Sequence, residues 1–255
     1  MSKNYELLQQ ADFGIGVATF RTGTSAAEES VGARETVEVA QVLPKVEPEA
    51  REEAFKLVQR LFLIPQEKSP RAVVFAGIDE HLGCNWLCSV TARLLASSVP
   101  GPVCLVEGNL RSPWLIDSLQ LGCDTGLVDS LRTDGPIREF TRQLEPGNLW
   151  LLPAGVPPQD STVLLNSDRM RERVRELRKE FDYLIVNAPP LTAFADGIVL
   201  GGMADGVVLV LEADSTRREV AVRVTENLRT TNVPLLGAVL NNRTFPIPAA
   251  IYKRL

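Results

Sequence analysis

Three stretches of this chain carry residue types and spacings suited to holding a phosphorylated nucleotide and a divalent cation. They are Gly77-Ile78-Asp79-Glu80-His81-Leu82-Gly83-Cys84-Asn85, Glu107-Gly108-Asn109-Leu110-Arg111, and Leu184-Ile185-Val186-Asn187-Ala188-Pro189-Pro190. A phosphate loop wraps backbone N–H groups around the phosphates, then adds a Lys against the β/γ oxygens and a Ser or Thr hydroxyl on Mg²⁺. Gly83 is in register for such a loop, but the Lys position holds Cys84 and the hydroxyl position holds Asn85. Asp79 and Glu80 bring negative charge to where a polyanion would sit, and no Lys or Arg between Arg71 and Arg93 replaces the lost cation. A bare helix N-terminus still attracts an anion, but with only ~0.3–1 kcal/mol at exposed sites.

The other two stretches show the same losses. A carboxylate is expected at the end of the third stretch to hold Mg²⁺ and its water, and the neutral Asn187 stands there. In the middle stretch Glu107 keeps a charge on a longer arm, whereas Asn109 has none. Hard divalent cations prefer anionic oxygens, so one carboxylate in place of three weakens the site for Mg·ATP. Gly83, Cys84, Asn85 and Arg111 are therefore the candidate residues of a degenerate nucleotide site. Glu107, Asn109 and Asn187 occupy the positions where catalytic carboxylates are expected; no residue is assigned as a confirmed catalytic group.

The elements that must position these residues follow from hydrophobic patterning. Continuous apolar runs mark strands at Ala72–Ala76, Val103–Val106, Leu184–Val186, Val207–Leu211 and Leu236–Leu240. Between them, Leu87, Val90 and Leu94 predict a helix over about 84–97. Met170, Val174, Leu177 and Phe181 predict a second, and Val220, Val224 and Leu228 a third. Apolar strands alternating with helices define a doubly wound α/β domain with a mostly parallel sheet covered on both faces. In such sheets ligands bind outside the carboxyl ends of the strands, where all three stretches fall. Ala54, Phe55, Val58, Leu61 and Phe62 predict an amphipathic helix over 49–62 that leads into the domain. Residues 1–48 are expected to be a flexible N-terminal tail, with a short candidate helix around Tyr5, Leu7 and Leu8, and residues 49–255 the folded domain.

With 255 residues, 45% hydrophobic, the chain has enough apolar material for one large α/β domain. A net charge of −5 argues against nucleic acid as a partner. No apolar run approaches the ~20 residues that span a bilayer, and Met1–Glu6 lacks a signal-peptide core, so a cytoplasmic protein is expected. Cys84, Cys88, Cys104 and Cys123 are then expected to be free thiols.

The order and form of these segments resemble the cytoplasmic domain of bacterial tyrosine kinases (BY-kinases of the CpsD/CapB type), within the MinD/ParA branch of P-loop ATPases. Glu107-Gly108-Asn109-Leu110-Arg111-Ser112-Pro113 fits the frame of that family's D-x-D-x-R-x-P segment. Gly126–Leu131, Asn148–Pro158 with Leu164-Leu165, Phe181–Pro190, Asp196, Ala204–Val210 and Leu236–Asn241 follow in family order. The resemblance covers about residues 49–255. It implies a P-loop NTPase fold of the SIMIBI, MinD-like kind. It also implies Mg·ATP as the cofactor of a functional site, a C-terminal phosphoacceptor at Tyr252, and a role in exopolysaccharide or capsular-polysaccharide biosynthesis. Implied partners are a membrane polysaccharide co-polymerase, which would bring the domain to the inner membrane, an active paralogue, or further copies in a homo- or mixed oligomer. The family's ring-contact pattern is present loosely, as Glu53, Lys56 and Gln59 with Arg60 one position away.

The dismantled site leads to a pseudokinase, with no cofactor, as the first functional expectation. The alternatives are an active autokinase that uses Glu107, Asn187, backbone amides and a partner's Lys, and a MinD/ParA-type positioning ATPase. Individual side chains carry paired readings. Cys84 is a neutral replacement for Lys or a reactive thiol, and Asp79, Glu80, His81, Cys84 and Cys88 form a metal cluster or a solvated loop. Trp86 fills the vacated pocket or lies on the surface. Arg111 has a structural role, pairing with Glu107 or holding the loop, or a catalytic one.

Overall fold

The computed structural model describes residues 18–20, 48–65, 69–80, 83–115, 125–144, 147–156 and 160–242. Its centre is one eight-stranded sheet in the order β1-β8-β7-β2-β6-β3-β5-β4. The strands are β1 (Ala18–Phe20), β2 (Ala72–Gly77), β3 (Val103–Glu107), β4 (Arg142–Leu144), β5 (Leu149–Leu152), β6 (Tyr183–Ala188), β7 (Gly206–Glu212) and β8 (Leu235–Asn241). All neighbours pair in parallel except β4 and β5, an antiparallel hairpin at one edge. This is the mostly parallel, doubly wound sheet that the apolar runs predict. Every residue of β2 and β3 is buried, as expected of strands covered on both faces.

The helices are α1 (Pro48–Val58), α2 (Gly83–Ala96), α3 (Leu127–Arg132), α4 (Ser161–Leu165), α5 (Asp168–Glu180), α6 (Asp196–Met203) and α7 (Arg218–Thr230). Two apolar clusters form the core, one on each face of the sheet. α1 and α2 supply one through Ala50, Ala54, Leu57, Leu61, Leu87 and Leu95. α5, α6 and α7 supply the other through Met170, Leu177, Leu200, Val224 and Leu228. α1 opens on Pro48, whose missing N–H costs nothing in a first turn, and runs on through a π-helical turn at Gln59–Leu63. Its inward stripe uses Leu57, whereas Phe55, expected on that stripe, is exposed. α5 is capped by Ser167, whose Oγ accepts from the Met170 N–H at 3.2 Å.

Two departures from expectation concern short pieces. Ala18–Phe20, within the segment expected to be a tail, pair with Val239–Asn241 as an edge strand. The candidate helix around Tyr5 lies outside the described residues. The hairpin of β4 and β5 was not legible as strands, because three and four residues are too few to show a period. Among the described residues no helix is long and apolar enough to cross a membrane.

Candidate functional site

β2 is the pivot of the winding, because the chain leaves it toward β3 on one side and later returns to place β7 on the other. The loop that follows β6 and the strand β7 both hold its carboxyl end. The Leu191 N–H donates to the Gly77 carbonyl at 3.0 Å, and the Ile78 N–H donates to the Val210 carbonyl at 3.2 Å. Parallel register then puts Phe75, Asn187 and Glu107 side by side across β2, β6 and β3. α2 rises immediately behind, carrying Cys84, Asn85 and Cys88 on its first two turns.

The residues at the expected metal positions bond to one another. Asn187 Nδ2 donates to Glu107 Oε1 at 2.8 Å and to Asn85 Oδ1 at 2.9 Å. Asn187 Oδ1 faces the thiols of Cys88 at 3.6 Å and Cys84 at 3.9 Å, both weak donors. Glu107 and Asn187 are both 0% exposed. The remaining capacity of Glu107 is taken by backbone: the Asn109 N–H on Oε1, and the Trp114 and Leu115 N–H groups on Oε2 at 3.1 and 3.0 Å. Burial pushes the pKa of Glu107 up to about 7, against the pull of these N–H donors. Burial also raises Cys88 well above the ordinary thiol range, assisted by its hydrogen bond with Cys84. Gly108 is required here, because its N–H donates to the Asn187 carbonyl at 2.8 Å and a Cβ would press into that carbonyl and Leu200.

Beside this buried knot lies a cleft of about 210 Å³ lined by Gly77, Asp79, Cys84, Val210, Glu212 and Thr216. It occupies the place of the phosphate loop, and its lining holds two carboxylates and no cation. Glu212 is braced from β8, its Oε2 accepting from Asn241 Nδ2 at 3.2 Å and its Oε1 from Asn242 Nδ2. His81, of the expected loop, lies outside the described residues.

Asn109 stays near the knot but points its Oδ1 at the Ser112 N–H at 3.3 Å. Arg111 does not pair with Glu107. Its Nε donates to Asp196 Oδ2 at 2.9 Å, its Nη2 to Thr162 Oγ1 at 2.7 Å, and its guanidinium stacks 4.1 Å from the Phe194 ring centre. Asp196, fully buried, also accepts from Thr162 Oγ1 at 2.7 Å. Arg111 thus holds together the loop after β3, α4 and the start of α6. Trp86 is not on the surface; it is 7% exposed and joins the core on the α1 face. Cys88 turns to the core, and Lys56 of the loose ring-contact pattern is paired with Glu53 at 2.7 Å and Glu52 at 3.3 Å on its own helix. Tyr252 lies outside the described residues. Asp196, Thr162, Glu212 and Asn241 escaped the first reading as site residues. For Glu212 the signal was present, a carboxylate directly after a strand-length apolar run.

These features define the fold class: a doubly wound α/β domain with a mostly parallel sheet, in which the positions expected to hold a metal and a phosphate-binding Lys carry neutral or acidic residues. MinD in the Aquifex aeolicus MinC:MinD cell division complex matches 72% of this chain and 72% of its own, with a TM-score of 0.56 and 19% identity. The kinase domain of the Escherichia coli tyrosine kinase ETK covers 95% of this chain and 96% of its own, with a TM-score of 0.78 and 20% identity. No family model matches the sequence. The chain is similar to bacterial tyrosine-protein kinases: it is 32% identical to the tyrosine-protein kinase YwqD of Bacillus subtilis over 141 residues, 55% of this chain and 60% of YwqD. The match spans 60% of the length of YwqD and of the CpsD of Streptococcus agalactiae, and 23% of the length of the longer tyrosine-protein kinase ptk of Acinetobacter johnsonii.

Proposed function

We propose that this domain is a pseudokinase of the bacterial tyrosine kinase type. It acts as a scaffold or regulator in exopolysaccharide or capsular-polysaccharide biosynthesis and chain-length control. Its partner is a membrane polysaccharide co-polymerase or an active kinase paralogue, and through that partner it reaches the inner membrane. The pathway and partners come from the kinship with bacterial tyrosine kinases. The loss of turnover comes from the chain's own residues.

The contact between Asn187 and Glu107 carries the proposal. A working site of this type keeps carboxylate oxygens open to Mg²⁺ and its water. Here the surviving carboxylate is closed off by four N–H donors, one of them the amide that stands where a second carboxylate is expected. Cys84 supplies no charge for the β/γ-phosphates, and Asp79 and Glu212 repel them from the adjacent cleft.

The test is calorimetric titration of Mg·ATP into the wild type and into Cys84→Lys/Asn85→Thr/Asn109→Asp/Asn187→Asp. The expected result is no heat for the wild type and binding in the variant. Mg²⁺-dependent binding at low micromolar Kd by the wild type would overturn the proposal. Phosphotyrosine on the purified protein would then favour an active autokinase, and hydrolysis without it a positioning ATPase.

A further inference from the structure

Cys84 and Cys88 stand four residues apart on the first two turns of α2, so both side chains lie on one face of the helix. Their thiols converge. Cys84 Sγ lies 3.9 Å and Cys88 Sγ 3.6 Å from the same acceptor, Asn187 Oδ1, and the two thiols are hydrogen-bonded to each other. A scaffold role makes no use of such a pair. Side chains at this helical spacing have Cβ atoms about 5–6 Å apart. A disulfide needs about 3.5–4.5 Å, so the pair stays a dithiol while the first turn of α2 is helical. One cation held in line between two thiolates spans about 4–5 Å, twice a metal–sulfur bond of about 2.3 Å, and the helical spacing accommodates that span.

Access and ligand number narrow the choice of ion. Cys84 lines the cleft together with Asp79 and Glu212, whose carboxylates raise the local concentration of any cation. Cys88 is 0% exposed and touches Cys84 from within. Structural Zn²⁺ takes four ligands, and among the described residues no group of three or more His, Cys, Asp and Glu side chains is placed to hold a metal. Two thiolates alone suit a soft monovalent ion. We propose that Cys84 and Cys88 form a two-coordinate thiolate site for Cu(I), entered through the acidic cleft. Binding exchanges two S–H bonds for two S–Cu bonds; both protons leave to solvent through the cleft, and no electron is transferred. The two thiolates and the monovalent ion together bear a single negative charge. It sits on the first turns of α2, where free N–H groups favour an anion. The site does not depend on whether the domain binds nucleotide.

The test is an anaerobic titration of the full chain with Cu(I), kept reduced by ascorbate, against the chromogenic Cu(I) chelator bicinchoninate. The expected result is one equivalent of Cu(I) withheld from the chelator by the wild type. Cys84→Ser and Cys88→Ser should each weaken retention at least as much as the loss of an outer-shell partner does, about 100-fold. Cys104→Ser/Cys123→Ser should retain the metal as the wild type does. That variant keeps the proposal testable even if either single serine change unfolds the chain. Its only thiols are Cys84 and Cys88, so X-ray absorption at the copper edge should show two sulfur neighbours and no further ligand. Complete transfer of Cu(I) to the chelator, retention that survives Cys88→Ser, or three or four ligands around the copper would each overturn the proposal. So would displacement of the bound Cu(I) by equimolar Zn²⁺.

Discussion

The side-chain amide of Asn187 and the carboxylate of Glu107, on adjacent strands and 2.8 Å apart, are each other's partners in a space with no solvent contact. That N–H···O bond is the centre of a sealed polar knot at the positions where metal-holding carboxylates are expected. The direction of that bond matters. Asn187 gives two hydrogens, to Glu107 and Asn85, and receives from two thiols. An acid at this place would turn both donations into confrontations between oxygens.

Asn187→Asp alone should therefore lower stability rather than restore a metal site. It leaves Glu107 and Asn85 each facing an acceptor, at about 1–3 kcal/mol for each buried group without a donor. Urea unfolding at pH 8 measures the loss. The loss should shrink at pH 5, where the two carboxyls can share a proton, and Mg²⁺ at millimolar concentration should recover part of it. An unchanged midpoint at pH 8 would mean that the knot is not holding the strands together.

Glu107 makes a signed prediction for pH. Its pKa is raised from 4.5 in the unfolded chain to about 7 in the fold, chiefly by burial. Between these values the unfolded chain has released a proton that the folded chain retains. Its contribution to stability accordingly falls as pH rises through this window and is level above it. Glu107→Gln removes that slope. It also sets an NH₂ group against one of the facing N–H donors, a cost that does not depend on pH. The stability advantage of wild type over Glu107→Gln should thus be larger near pH 4.5 than near pH 7.5, measured by denaturant midpoints across the range.

Arg111→Ala should destabilise by about 1–2 kcal/mol, since it strips the buried Asp196 carboxylate of its charged partner while Thr162 and Ser161 remain as donors. The guanidinium is partly exposed, which keeps the figure below that of a fully buried pair. Arg111→Lys should recover little, because an ammonium cannot bond Asp196 and Thr162 in the same plane and stack on Phe194. Asp196→Asn in the Arg111→Ala background should restore part of the loss. Thermal unfolding of the wild type, Arg111→Ala, Asp196→Asn and their combination closes the cycle.

Asp205 joins two elements: its carboxylate accepts from the Arg71 and Ala72 N–H groups at 2.7 and 2.8 Å and from Arg178 at 2.9 Å. Burial works to raise its pKa, but these donors outweigh burial and the group sits below the ordinary 3.8. A lowered acid contributes stability above the unfolded pKa and loses it as pH falls through the folded one. Asp205→Asn should therefore cost more at pH 7 than at pH 3, which acid titration of the unfolding midpoint tests.

The five long parallel strands and the helices between them were legible in the sequence. Apolar runs of three to five residues alternating with helical patterns fit strands covered on both sheet faces, and a sheet wound in that way presents its ligand end at the strand carboxyl ends. That Cys84 stands where a phosphate Lys is expected, and the neutral Asn109 and Asn187 where carboxylates are expected, was equally plain, because residue type at a given position needs no coordinates. Partnership was not legible. Arg111 and Asp196 lie far apart in the chain, and no local pattern foretells that a guanidinium will prefer that carboxylate to the nearer Glu107. The burial of Trp86, the convergence of Cys84 and Cys88 on Asn187, and the pairing of Ala18–Phe20 with the end of β8 are likewise decided by packing. Side-chain direction and strand register come into being only when distant segments meet. The sequence by itself determined which residue types stand at the expected phosphate and metal positions, and tertiary structure decided what those groups do with one another.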